Sequence, residues 1–397
     1  MSLDAHFSQL ARRIEPAAIR KVMALASAPD VIAFTGGKPA PNLFPLEAIR
    51  QKTSTVLDEH GPESLQYAST DGYLPLRQWV AGRLPGDIKA ENLMIISGSQ
   101  QAIDLVGRVF IDPGDKVVVA APTYTAALTT LRVYGPEFLE VECDGDGMLP
   151  ESLEAALQQG VKLIYAVPNF MNPTGVDMSR ERRQQLADLA RQYDVPVLED
   201  DPYGDLRFEG ETPPNVYELA PERTIYAGTF SKILMPGLRL GWLTGPPVAM
   251  NKLLYAKQAG DLQAATYSQH LVYELTRDGF MDAQIAHIRE YYQQQRDWMM
   301  AAIRRYFPAE AKVREPAGGL FIWVELPEHI NATELIHEAI NRKVAYVPGS
   351  PFFASDRGHN TLRLSFSLND QASIEEGIRR LGGLFTEALA GSLLDEA

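Results

Sequence analysis

Residues 161–201 read VKLIYAVPNFMNPTGVDMSRERRQQLADLARQYDVPVLEDD. Val161–Val167 and Val195–Leu198 are short, nearly continuous apolar runs, the second with Pro196 near its start, and such runs predict buried strands. Between them Leu186, Leu189, Ala190 and Tyr193 recur at helical spacing, with Ser179 placed as the N-cap. Moving outward, Met94–Ile96 and Val117–Ala121 read as further strands, and Ala102, Leu105, Val106 and Val109 as one face of a helix. This alternation predicts an α/β fold, a mostly parallel sheet with helices on both faces. Beyond residue 280 the texture changes. A long polar helix, Met281–Tyr306, leads to isolated strands at Leu320–Leu326 and Thr361–Ser367, then to a helix with Ile374, Ile378 and Leu381 on one face. That pattern predicts a smaller α+β domain. Gly36–Pro45, GGKPAPNLFP, reads as extended chain or loop.

The 397 residues are 45% hydrophobic and 22% charged, which excludes a disordered or fibrous chain. At about 150 residues per domain the length fits two or three units, or one large domain with a small one. Thirty-seven basic against 51 acidic side chains leave a formal charge of −14. Such a surface repels nucleic acid and anionic lipid, so neither is an expected partner; a small anion in a local pocket stays open. Cys143 is the lone cysteine, and the histidines show no HExxH spacing, so neither a disulfide nor a metal is expected. With no signal-like start and no run of about 18 uncharged apolar residues, a cytoplasmic protein is expected.

Open α/β sheets bind ligands beyond the carboxyl ends of their strands, and polar residues stand at four such places. Ser97-Gly98-Ser99-Gln100-Gln101 joins a strand to a helix; small residues and a helix N-terminus suit an anion, although alone the stretch reads as a capped turn. Asn172-Pro173-Thr174-Gly175 is turn chemistry and alone implies no function. Glu199-Asp200-Asp201 ends a buried strand, where adjacent carboxylates need a cation, a metal or a protonated heterocyclic nitrogen nearby. Lys232, in Thr229-Phe230-Ser231-Lys232, lies between apolar strands, where burial would raise its neutral, nucleophilic fraction; a single lysine is ordinarily a solvated surface group.

Together these are the parts that hold pyridoxal phosphate: a helix N-terminus for phosphate, a buried carboxylate for a pyridine nitrogen, a lysine for an aldehyde. From about Arg20 onward the chain resembles the fold-type I pyridoxal-phosphate aminotransferases, most of all the branch of 2-aminoadipate and kynurenine/aminoadipate aminotransferases. GGKPAP, LQYASTDGY, SGSQQAIDL, PTY, NPTG, EDDPYG, TFSK, PGLRLGW, GGLFIW and LRLSF occur in family order. The resemblance implies an N-terminal substrate-capping segment (1–45) that joins the small domain, a large cofactor-binding domain (46–285) and a small C-terminal domain (286–397). It implies transamination of 2-aminoadipate with 2-oxoglutarate and glutamate, in lysine biosynthesis, by a homodimer with shared active sites.

The resemblance also assigns roles. Lys232 is the Schiff-base lysine and proton shuttle, and Asp200 pairs with the pyridine nitrogen. Asp-x-x-Tyr spacing selects Asp200 with Tyr203, and strand alternation turns Asp201 to the other face. Tyr203 and Asn172 bond the ring hydroxyl oxygen, and Tyr124 stacks on the ring. Ser99, Gln100, Ser231 and Arg239 take the phosphate; Thr229 stands where the family commonly has serine, keeping the hydroxyl. Tyr67 reaches the phosphate of the neighbouring subunit. Arg363 alternates with Leu362, Leu364 and Phe366 on the polar face of its strand, where residue pattern alone makes it solvent-facing; the resemblance makes it the clamp for the substrate α-carboxylate, beside Gly37. Arg20 matches the N-terminal arginine offered to a side-chain carboxylate; read alone it is an exposed helix arginine. Aromatic, branched-chain or kynurenine transamination differs from this reading only in pocket shape, and a lyase or decarboxylase shares the same core residues. The aminotransferase-like domain of a transcription regulator fits less well, since only about 35 residues precede GGKPAP and the charge is acidic.

Overall fold

Strands rich in valine and isoleucine on both sides need a covering layer on each face, and the fold supplies two. The computed structural model describes residues 3–14 and 28–391. Its strands are β1 Ile32–Ala33, β2 Leu93–Ile96, β3 Lys116–Ala121, β4 Glu137–Asp144, β5 Gly147–Met148, β6 Val161–Ala166 and β7 Val197–Asp201, followed by β8 Thr224–Thr229, β9 Gly241–Thr244, β10 Lys312–Val313, β11 Phe321–Glu325, β12 Val344–Ala345, β13 Val347–Pro348 and β14 Thr361–Ser365. Eight of them form one sheet in the order β2-β9-β8-β7-β6-β3-β4-β5. Its centre, β4 to β8, is parallel, and the ends are closed by antiparallel pairs through β9 and β5. The expected mostly parallel sheet is therefore present, with antiparallel ends that periodicity does not disclose. Alternation splits the core between the two faces: Leu93 and Ile95 enter one apolar cluster, Met94 and Ile96 the other.

The boundaries shift for physical reasons. β7 begins after Pro196, which has no N–H for the ladder, and continues through all three carboxylates. Ser179 caps the Arg180–Gln192 helix by accepting from the Arg182 N–H. Arg183 on that helix is fully buried and donates to the Met178 carbonyl at 2.8 Å, the Pro168 carbonyl at 3.1 Å and Asn169 Oδ1 at 2.8 Å, and pairs with Asp177 at 2.9 Å. All four acceptors belong to the loop after β6, so one helix side chain anchors the loop that carries Asn172.

The later part of the chain forms an antiparallel sheet, β10-β11-β14-β13. The helices Phe280–Tyr306 and Gln371–Leu389 pack on each other, the latter burying Ile374, Ile378 and Leu381. The GGKPAP stretch is extended, as expected, and the chain from Phe34 to Lys38 is stitched to β12, which pairs in parallel with β1, and to the β14 end of this smaller sheet. The Phe34 N–H donates to the Ala345 carbonyl at 2.8 Å, the Ser365 N–H to the Phe34 carbonyl at 2.9 Å, and the Ser367 hydroxyl to the Lys38 carbonyl at 2.7 Å. Replacing Arg183 by Met removes the donor from Asn169 and the Met178 carbonyl and leaves Pro168 and Asp177 with only their remaining partners, the Met178 N–H and Arg207. Denaturant unfolding of Arg183→Met should show a loss of roughly 3–5 kcal/mol; a loss below about 1 kcal/mol would show that the loop is anchored elsewhere.

Candidate active site

Three successive carboxylates in β7 do three different things. Glu199 is fully buried and accepts the Val216 and Tyr217 N–H groups, at 3.0 and 2.8 Å, at the start of the Val216–Leu219 helix. Asp201 accepts the Gly204 N–H and the Tyr226 hydroxyl, both at 2.8 Å. Asp200, turned to the opposite face by strand alternation, accepts the Tyr165 hydroxyl through Oδ2 at 2.8 Å, and the Ser99 hydroxyl lies near enough to favour its charge; among the described residues its buried Oδ1 has no well-formed hydrogen bond. Burial pushes the Asp200 pKa up to about 7, against the Tyr165 bond that favours its charge.

Asp200 faces a cavity of about 470 Å³. A larger one, about 570 Å³, lies across the Pro202–Thr229 wall, but it contains no lysine and the chemistry gathers in the smaller. Lys232 reaches the smaller cavity from the segment after β8, its ammonium donating to the Gly37 carbonyl at 2.7 Å. Desolvation first, then the charges of Arg363 and Arg239, push its pKa down to about 8. Gly37 allows this approach: a Cβ there would meet Phe321 at 2.9 Å.

Arg363 corrects the reading from residue pattern alone. It is not solvent-facing; every residue of β14 is buried, and Arg363 is 4% exposed. Its polar-looking face turns inward because Phe321 and Phe352 lie against it, with ring centroids 4.2 and 5.1 Å from the guanidinium carbon. Nη1 donates to Asn172 Oδ1 and Nη2 to the Thr35 carbonyl, both at 2.7 Å, while Nε has no partner. Among the described residues no carboxylate lies within ion-pair distance of it. Burial pushes the pKa down to about 10, which still leaves the group charged at neutral pH.

At the cavity's other end the Ser99–Phe110 helix begins without a side-chain cap. Its N-cap, Gly98, has φ 85°, and a Cβ there would meet Arg239 Nη2 at 2.8 Å, so glycine is required twice over. Ser231 lines the same cavity, its hydroxyl accepting from Thr229 Oγ1 at 2.9 Å. Tyr203 is buried, edge-on to Phe321 at 5.8 Å, and desolvation raises its phenol far above the ordinary range; burial also raises the Tyr124 phenol. Both line the cavity with Asn172.

The structure thus gathers Lys232, Asp200, Tyr203, Asn172, Tyr124, Ser99, Ser231, Arg239, Gly37 and Arg363 around one space. Gln100 borders it, but its side-chain amide turns to Thr130, so what it offers is backbone N–H. Tyr67 lies elsewhere, 79% exposed. Arg20 falls outside the described residues. Sequence reading missed Tyr165, Thr35 and Phe321; only Tyr165, a lone hydroxyl in an apolar strand, left a local trace.

These residues fit pyridoxal phosphate. A buried carboxylate oxygen lacking a donor suits a protonated ring nitrogen, an amine held below its usual pKa suits an aldehyde, and an uncapped helix start beside Arg239 suits a phosphate. The arrangement defines a site for a phosphorylated aromatic aldehyde and a carboxylate-bearing amine. Residues 29–381 match the family model of class I and II aminotransferases, and the chain belongs to that family. It is 42% identical over 400 residues to the aromatic-amino-acid aminotransferase 1 of Thermococcus litoralis, covering 98% of this chain and 96% of that one. To the 2-aminoadipate transaminase of Thermus thermophilus it is 39% identical over 395 residues, covering 98% and 99%. The crystal structure of an alpha-aminoadipate aminotransferase from Thermus thermophilus, complexed with N-(5'-phosphopyridoxyl)-L-leucine, matches with a TM-score of 0.92 at 38% identity, covering 98% and 100%. The chain has the fold-type I architecture, uses pyridoxal phosphate and is an aminotransferase.

The raised Asp200 pKa has a measurable sign. Between about pH 4 and 7 the folded apo-protein keeps a proton that the unfolded chain has released, so stability falls as pH rises through that window. Glu199, pushed up to about 7 mainly by burial, contributes the same slope. Melts of the apo-protein across this range should show the decline, and Asp200→Asn should remove part of it; an unchanged slope would mean that Asp200 does not titrate there.

Proposed function

We propose that this aminotransferase acts on 2-aminoadipate, with glutamate and 2-oxoglutarate as the other pair, in lysine metabolism. The observation that carries the reading is Arg363: a buried guanidinium without a carboxylate partner among the described residues, in the same cavity as Lys232 and Asp200. In this reading Arg363 takes the substrate α-carboxylate, oriented by Asn172 and the Thr35 carbonyl, with Gly37 keeping the backbone close. Asp200 accepts from the ring nitrogen, Tyr203 and Asn172 flank the ring hydroxyl, and Tyr124 stacks on the ring. Ser99, Gln100, Ser231 and Arg239 hold the phosphate. Once bound, the cofactor supplies an electron-poor ring that draws off the electron pair left as the substrate loses its Cα proton. The Lys232 amine takes that proton, and its depressed pKa keeps a usable neutral fraction near neutral pH.

Aminoadipate itself rests on Arg20 and on likeness to the Thermus enzyme. A second reading, an aromatic, branched-chain or kynurenine aminotransferase, is favoured by likeness to the aromatic-amino-acid aminotransferase 1 of Thermococcus litoralis and by the leucine adduct held by the Thermus structure. We place Tyr67, exposed and away from its own cavity, in the partner's site of a cytoplasmic homodimer. The 1–45, 46–285 and 286–397 divisions belong to the same proposal.

Adding 2-aminoadipate without any keto acid to the purified holoenzyme should shift its visible absorption to that of pyridoxamine phosphate. Lys232→Ala should bind cofactor yet lose turnover by several orders of magnitude, roughly the scale of removing a catalytic base or nucleophile. A spectrum that ignores aminoadipate but responds to phenylalanine, leucine or kynurenine would select the second reading. Arg20→Ala should reduce kcat/KM for aminoadipate roughly tenfold or more, the scale of a lost charged hydrogen bond, and leave leucine nearly untouched. Equal losses for both substrates would remove the specificity argument.

A further inference from the structure

The turn Ser97–Gln101 presents a problem that the site residues do not solve. It contains a glycine with positive φ, the most permissive kind of backbone, yet its free N–H groups must stay aimed at one point to hold an anion. Rigidity comes from outside the cavity. Lys257, on the Pro247–Gly260 helix, is fully buried and donates to Asp261 Oδ1 at 2.6 Å. Asp261 Oδ2 accepts from Gln101 Nε2 at 2.7 Å and from the Ser97 hydroxyl at 3.2 Å. Gln101 Oε1 closes the ring by accepting the Ser97 N–H at 2.8 Å, and the Ser97 carbonyl accepts from Arg239 Nη2 at 3.3 Å. Every polar group of Ser97 is therefore engaged.

The charge arrangement is as specific as the geometry. A bare carboxylate this close to the turn would repel an anion bound there. Paired with a buried ammonium, Asp261 keeps its acceptor oxygens while adding no net negative charge. We propose that Asp261, its charge offset by Lys257, is a positioning residue for the phosphate: it fixes the Ser97–Gln101 turn and, through Ser97, Arg239. This rests on the reading that Ser99, Gln100, Ser231 and Arg239 hold that group.

The test compares two probes on apo-protein, pyridoxal phosphate and pyridoxal, which lacks the phosphate. Asp261→Ala should bind pyridoxal phosphate roughly tenfold more weakly or worse, the scale of losing a hydrogen bond to a charged group, with pyridoxal affinity within about twofold of wild type. Since Asp261→Ala leaves Lys257 buried and unpaired, Gln101→Leu serves as the companion variant. It removes the Gln101 bonds to Asp261 and to the Ser97 N–H, leaves the ion pair and the Ser97 hydroxyl contact intact, and should show the same selective loss in smaller measure. Equal losses for both probes, or no loss in either variant, overturns the proposal. Wild-type protein that binds pyridoxal as tightly as pyridoxal phosphate overturns instead the phosphate reading beneath it, so the two failures are distinguishable.

Discussion

A single carboxylate, buried at the end of a central strand with one oxygen unanswered, is the constraint around which the site is arranged. β7 ends in Glu199, Asp200 and Asp201, and leaving three like charges together inside a protein is costly. The strand separates them by alternation. Glu199 and Asp201 are spent on backbone N–H groups and a tyrosine hydroxyl, and Asp200 alone faces the cavity. In the proposed site its unanswered oxygen would meet the protonated ring nitrogen of the cofactor, and folding and cofactor binding would then be joined at this one atom.

The rest of the cavity is weighted the other way. Among the described residues Lys38, Lys232, Arg239 and Arg363 line it against one carboxylate, although the chain as a whole carries −14. Global charge therefore says little about this enzyme's ligands; a local excess of cations in a low-dielectric pocket is what a phosphate and an α-carboxylate respond to. After desolvation, the charges of Arg363 and Arg239 also depress Lys232, so the cations of the pocket help keep its amine neutral.

How much of this was legible in the sequence depends on how local each cause is. The strand–helix–strand unit around residues 161–201 was readable because burial on both faces leaves continuous apolar runs. Asp200 was separable from its neighbours because a period of two is a property of any strand. Arg363 was misread from pattern alone because alternation tells two faces apart without saying which meets solvent; only Phe321 and Phe352, distant in sequence, decide that. Gln100 was readable as a residue of the turn, but the contact of its side chain with Thr130, on a different helix, was not. The Lys257–Asp261 pair left no readable trace, since an ion pair four residues apart on a helix end looks like ordinary surface decoration.

The small-sheet stitches also bear on the order in which the molecule can be made. Thr35 and Arg363 are 328 residues apart, and Lys38 and Ser367 are 329 apart, yet each pair is joined by a hydrogen bond. A ribosome adding about 5–20 residues per second spends roughly 15–65 s between them. The large sheet can close during that interval, since β2 to β9 are already synthesised. The opening strap can meet Lys232 early, but its bonds to Ala345 and to β14 wait for the last part of the chain, so a nascent chain carries a nearly finished large sheet for many seconds before the strap is tied down.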